Sequence, residues 1–167
     1  LNDNKIIKIN SVRDKRGFFQ RLYSIDKYQK FTKNKIVQIN YSFTKQKGSV
    51  RGMHYQIGKF KEDKFVICLK GKVFDVALDM RRNSSSYLKH KVTVLDAKVN
   101  TISFIPRGFA HGFQTLYSNT EMLYFHTNFY DINYERSVNP LDPKISINWP
   151  VKITNISKKD KLIKYLW

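Results

Sequence analysis

From Lys64 onward, apolar and polar positions alternate with a period of two. The runs Lys64-Phe-Val-Ile-Cys-Leu-Lys70 and Lys72-Val-Phe-Asp-Val-Ala-Leu-Asp-Met80 flank a single glycine, Gly71. They predict two strands joined by a tight glycine turn. Further strands are predicted at Lys91–Leu95, Thr101–Ile105, Gln114–Leu116 and Glu121–Thr127. Between them lie Asn83-Ser-Ser-Ser86, Asp96-Ala97 and Ser118-Asn119, residue types that favour turns. Short strands at even spacing predict a β-sandwich or barrel. Helical periodicity is scarce. Ser24–Phe31 predicts a short helix opened by a Ser24 cap, and Ser157–Leu162 predicts another. With no linker or repeat in view, residues 1–167 read as one all-β domain with short peripheral helices.

Composition narrows the classes of function. At 167 residues, 41% hydrophobic and 14% aromatic, the chain can bury a sizeable core and is not of the disordered class. Its one cysteine, Cys68, sits in the apolar run Phe65–Leu69 and is expected to pack as a small hydrophobe. A disulfide framework is thereby excluded, and the expected location is the reducing cytoplasm. No apolar run approaches the ~20 residues of a membrane-spanning helix. The chain begins at Leu1 without a methionine, and its first residues do not read as a signal peptide.

The formal net charge of +18 admits either a nucleic-acid partner or a small anionic substrate. The lysines, however, are spread along the whole chain, and only Lys158, Lys159, Lys161 and Lys164 cluster. With just eight arginines, this reads as a solvated surface that steers a small anion, with no nucleic-acid partner expected.

Two runs carry candidate chemistry: Ser49-Val-Arg-Gly-Met-His-Tyr-Gln56 and Pro106-Arg-Gly-Phe-Ala-His-Gly-Phe113. Each sets a histidine close to an arginine and a glycine, in a chain with only four histidines. Imidazole is the side chain best suited to move a proton near neutral pH. Arginine beside it points to an anion, phosphate above all. The competing reading for each histidine is a hydrogen-bonded core residue on a strand.

Taken in order, the motifs resemble the dTDP-4-dehydrorhamnose 3,5-epimerase family of nucleotide-sugar epimerases. The matching pieces are Asp14-Lys-Arg-Gly-Phe-Phe19, Val37-Gln-Ile-Asn-Tyr-Ser42, Gly48–Gln56, Asp63-Lys64, Gly71–Asp79, Pro106–Phe113, Leu123-Tyr124, Asp142-Pro143, Ile147-Asn-Trp-Pro150 and Ser157-Lys-Lys-Asp160. The resemblance runs from Asp14 to Asp160 and implies a cupin-type jelly roll, usually a homodimer. It further implies inversion of stereocentres beside the 4-keto group of a nucleotide-linked 6-deoxysugar, for surface polysaccharide or a glycosylated product. Hydrogens on C3 and C5 flank that ketone, so the reaction needs a base, an enolate stabiliser and an acid, and no redox cofactor.

By this resemblance His54 is the base and Asp160 its carboxylate partner, Lys64 the enolate stabiliser and Tyr124 the acid. Asp75 and His111 complete the inner shell from adjacent strands and pair with each other. Arg16, Arg51, Gln38 and Asn40 contact pyrophosphate and sugar, and Phe19 stacks on the base. One departure concerns Arg21, where the family commonly has a glutamate that positions the thymine nucleotide. GDP- or CDP-linked sugars are therefore alternatives to a dTDP-linked one. So are inversion at one centre only, keto-sugar isomerisation, and a non-catalytic sugar-binding β-sandwich. Many cupins hold a metal through about three histidines and a carboxylate. Here Gln56 stands where a second histidine would be needed and Lys64 would repel a cation, so no metal is expected.

Overall fold

A computed structural model describes residues 4–166. Two antiparallel sheets pack face to face. The first runs, edge to edge, β1 (Lys5–Lys8), β9 (Thr101–Ile105), β6 (Lys64–Lys70), β11 (Thr120–His126) and β4 (Gln38–Thr44). The second runs β12 (Glu135–Ser137), β5 (Ser49–Gln56), β10 (Phe109–Thr115), β7 (Lys72–Asp79) and β8 (His90–Asp96), with β13 (Asn155–Ile156) added in parallel along β5. A separate two-stranded ribbon is formed by β2 (Ser11–Asp14) and β3 (Gly17–Gln20). The all-β sandwich expected from the alternation is what the chain forms.

Gly71 makes the predicted turn between β6 and β7 with φ +85°, a conformation costly for any residue with a Cβ. A Cβ there would also sit 2.6 Å from the Thr120 hydroxyl. The unbroken apolar run of β6 follows from burial on both faces. Val66 and Cys68 face the inter-sheet core with Val73, Leu95, Phe113 and Met122. Phe65 and Ile67 face outward beneath Tyr28 and Phe125. The outer face of the second sheet is covered by the 138–149 segment, where Val138, Ile145 and Trp149 pack on Met53 and Leu78.

The expectations for one strand, for the first helix and for its Ser24 cap need correction. The strand read as Gln114–Leu116 is the longer Phe109–Thr115, every residue of it buried. A strand covered on both faces loses the alternation that marks a half-exposed one. The first helix, α1, spans only Ile25–Tyr28. Ser24 occupies its N-cap position, but its hydroxyl bonds the Asp26 carboxylate rather than accepting from the backbone. The chain then folds over so that Tyr28 and Phe31 cover Phe65. The second helix, α2, spans Lys158–Lys161, and here the Ser157 hydroxyl does cap, accepting from the Asp160 N–H at 3.0 Å.

Candidate active site

Between the two sheets lies a cavity of about 550 Å³, within the usual range for small-molecule sites. One wall comes from the second sheet: Arg51 and His54 on β5, and His111 on β10. The other comes from the first: Asn40 and Ser42 on β4, Lys64 on β6, and Tyr124 and His126 on β11.

Strand register places these groups. His54 and His111 are direct cross-strand partners, while Tyr124 lies opposite Asn40 and Val66. The period of two then puts Tyr124 and His126 on one face of β11 and Gln38, Asn40 and Ser42 on one face of β4. A register shift falls between His111 and Phe113 on β10. Here Gly52, at φ +106°, and Gly112 let β5 and β10 approach closely. A Cβ on Gly52 would lie 2.6 Å from the Gly112 Cα, and one on Gly112 would lie 2.5 Å from the Met53 sulfur.

Three histidines meet three carboxylates around this cavity. His54 Nε2 lies 2.7 Å from Asp160 Oδ1. His111 Nε2 lies 2.6 Å from Asp75 Oδ1, and His126 Nδ1 lies 2.7 Å from Glu62 Oε2. Asp160 is 3% exposed, buried by α2 against β5 rather than solvated at a helix end. Burial pushes its carboxyl up, yet the hydrogen bond and charge of His54, helped by Ser157 and Lys159, bring it below the usual carboxylate range. Glu62 behaves alike: burial raises it, and Lys64 and His126 outweigh that and hold it down. The Lys64 ammonium lies 3.2 Å from Glu62 Oε1 and 3.5 Å from the His54 carbonyl oxygen. Burial pushes the Tyr124 phenol well above its ordinary value, with the Asp75 charge adding to the rise. Its hydroxyl shares a 3.0 Å hydrogen bond with Ser42.

Of the residues singled out in the sequence, His54, Lys64, Tyr124, His111, Asn40 and Arg51 line the cavity, and Asp160 and Asp75 stand behind their histidines. Arg51 is braced by Nε donation to the Thr44 hydroxyl at 3.0 Å and Nη2 donation to the Phe43 carbonyl at 3.2 Å. Gln38 lies beside the cavity in a smaller adjoining pocket. Arg16, Phe19 and Arg21 are not brought to it. Arg16 stands at the tip of the ribbon, its side chain 90% exposed and paired with Asp14. Phe19 and Arg21 are exposed as well. Sequence reasoning missed Ser42, Glu62 and His126. The available signal for His126 was its place two residues beyond Tyr124. Among the described residues no three His, Cys, Asp or Glu side chains converge in the way a metal site requires.

Comparison with known proteins agrees with this geometry. The family model described as dTDP-4-dehydrorhamnose 3,5-epimerase matches residues 1–166. The chain is 38% identical over 149 residues to the dTDP-4-dehydrorhamnose 3,5-epimerase of Shigella flexneri, covering 88% of this chain and 82% of that one. A solved 3,5-epimerase from Legionella pneumophila, in complex with dTDP-4-keto-L-rhamnose, superimposes with a TM-score of 0.91 at 35% identity, over 97% of this chain and 87% of that one. The dTDP-4-dehydrorhamnose 3,5-epimerase of Bacillus anthracis, with TDP and PPi bound, superimposes with a TM-score of 0.94 at 29% identity, over 98% and 94% of the two chains. The chain belongs to the dTDP-4-dehydrorhamnose 3,5-epimerase family, and its fold is the cupin-type β-sandwich of that family.

Proposed function

We propose that this enzyme is an isomerase that inverts C3, C5 or both in a dTDP-linked 4-keto-6-deoxysugar. One observation carries the reading: a histidine–carboxylate pair and a partly buried phenol line one cavity from opposite sheets, with the Lys64 ammonium in the same lining. A planar enolate held between those walls presents one face to His54 and the other to Tyr124. Deprotonation by one and reprotonation by the other inverts the carbon.

Asp160 accepts from His54 Nε2–H, which leaves the Nδ1 lone pair to take the proton. Asp160 also stabilises the imidazolium that forms. Electron density moves to the C4 oxygen, where the Lys64 ammonium offsets the developing charge in a site of low dielectric. Tyr124, kept protonated by burial, delivers a proton to the carbon from the far wall. His111, held by Asp75, is a fixed hydrogen-bonding group toward the sugar. Arg51 is the phosphate contact on this wall.

Arg16 and Phe19 belong to a ribbon that does not line its own cavity, and Arg21 follows directly after it. We assign them to the nucleotide site of a second copy, in a homodimer. The exposed outward face of edge strand β4, with Ile39, Tyr41 and Phe43, supports that assembly, as do Val12, Phe18 and Phe19 on the ribbon. The reading places the enzyme in the cytoplasm, as a single domain, supplying an activated sugar for surface polysaccharide.

The test is turnover of dTDP-4-keto-6-deoxyglucose by purified enzyme, with GDP- and CDP-linked analogues in parallel, the product's C3 and C5 configuration being read by NMR. Inversion with the dTDP sugar supports the assignment. Turnover of the GDP or CDP sugar alone would shift it to another nucleotide, with Arg21 as the residue to examine. Binding without inversion of any of them would leave a sugar-binding module.

A further inference from the structure

The pair Glu62–His126 forms part of a polar chain whose direction is set from a backbone amide. Tyr130 N–H donates to Gln38 Oε1 at 3.1 Å, and a backbone N–H has no alternative role. Gln38 must therefore donate from Nε2, which it does to Asn40 Oδ1 at 3.0 Å. Asn40 then donates from Nδ2 to His126 Nε2 at 3.3 Å. That nitrogen accepts, so His126 is the neutral Nδ1–H tautomer and donates to Glu62 Oε2. The other Glu62 oxygen faces the Lys64 ammonium at 3.2 Å. Glu62, Lys64 and His126 are all under a tenth exposed, so the contacts among these three operate in a low dielectric where a mismatch is costly, while the Tyr130–Gln38 and Gln38–Asn40 hydrogen bonds lie at the exposed end of the chain.

We propose that His126 is a positioning residue for the epimerisation: by accepting from Asn40 and donating to Glu62, it fixes the Lys64 ammonium and turns the Asn40 amide N–H toward the cavity. The wall opposite His54 then offers an oxygen-bearing substrate two donors, the Lys64 ammonium and the second N–H of Asn40. Glu62 is the counter-ion that holds Lys64 in place, its Oε1 3.2 Å from the ammonium, and the Lys64 charge is the largest of the influences that lower its carboxyl. His126 acts through Lys64 and Asn40 rather than on the reacting carbon.

This inference rests on the epimerase reading for its kinetic arm only, because the tautomer is measured on the free protein. Long-range ¹H–¹⁵N NMR at pH 7.5 is expected to show His126 neutral with its proton on Nδ1. A proton on Nε2 alone, or on both nitrogens, would overturn the proposal. In kinetics, His126→Leu keeps bulk but neither hydrogen bond and is expected to lower kcat about 10–100-fold with a smaller change in KM, the range seen when groups that orient reactive ligands are removed. His126→Gln keeps one acceptor and one donor and is expected to restore kcat to within about 3-fold of wild type. Equal loss in the two variants would also overturn it. Should wild type turn over no sugar, the epimerase reading fails and the tautomer alone decides the fate of the polar chain.

Discussion

His54 and Asp160 are 106 positions apart in the chain and meet at 2.7 Å. One is fixed on the central part of β5, and the other is delivered by α2, whose first turn is held by Ser157. The carboxylate is buried and the imidazole side chain is 35% exposed, so the pair has a closed end and an open one. That polarity suits a base that must reach a bound substrate while its orientation is kept from solvent.

Asp160→Asn should lower kcat by on the order of 10²–10⁴-fold, with the fold intact, because an amide no longer selects the tautomer or stabilises the imidazolium. Steady-state kinetics with circular dichroism check this. A loss below 10-fold would remove Asp160 from the mechanism.

Tyr124→Phe should lower turnover by on the order of 10²-fold through loss of the acid. The melting temperature should change little, since among the described residues the hydroxyl makes one hydrogen bond, to Ser42. Burial raises the phenol's pKa, so the proton is present at neutral pH and is lost only in strong alkali. The alkaline limb of the wild-type pH–rate profile up to about pH 10, the ordinary range of a tyrosine, should therefore not arise from Tyr124. A limb near the ordinary tyrosine value that vanishes in the variant would contradict this.

Much of the architecture was legible in the alternation. Strands β6, β7 and β9 could be bounded nearly residue by residue, because lysine, aspartate and glycine mark where β6 and β7 enter and leave the core, and Asn100 and Pro106 flank β9. Strand β10 was not, since Phe109–Thr115 is buried throughout, and Gly112 within it and Gly108 just before it resemble loop punctuation. The site was legible where family motifs fall on it, as with His54, Lys64, Tyr124, His111 and Asp160. Glu62 and His126 lie outside those motifs, and only the register that sets His126 opposite Lys64 brings them together. Arg16 and Phe19 show the converse: their motif reads clearly, yet a short exposed ribbon has no local signal for which surface it serves.

Asp79 governs part of the acid stability. It is fully buried and takes a two-pronged hydrogen bond from Arg81, at 2.6 and 2.8 Å, with the Ser86 hydroxyl at 2.6 Å. Burial pushes its carboxyl up, but these donors prevail and hold it far below the usual range. A depressed folded pKa contributes stability in full above the unfolded value, about 4, and loses it as pH falls through the folded value. Asp79→Asn should therefore cost on the order of 3 kcal/mol at pH 7, and the gap to wild type should narrow below about pH 4. Denaturant unfolding at pH 7 and pH 3 measures both. A gap unchanged by pH would refute the assignment.

The central claim is that His54 removes a carbon-bound proton next to the ketone and that inversion follows from the far wall. The most direct measurement is deuterium incorporation from D₂O into dTDP-4-keto-6-deoxyglucose, followed by NMR and mass spectrometry, for wild type and His54→Ala. The account predicts incorporation at C3, C5 or both with wild type, reduced at least 10²-fold in the variant. Incorporation undiminished in His54→Ala would contradict it, because the proton would then leave by a base other than the one this cavity holds against Asp160.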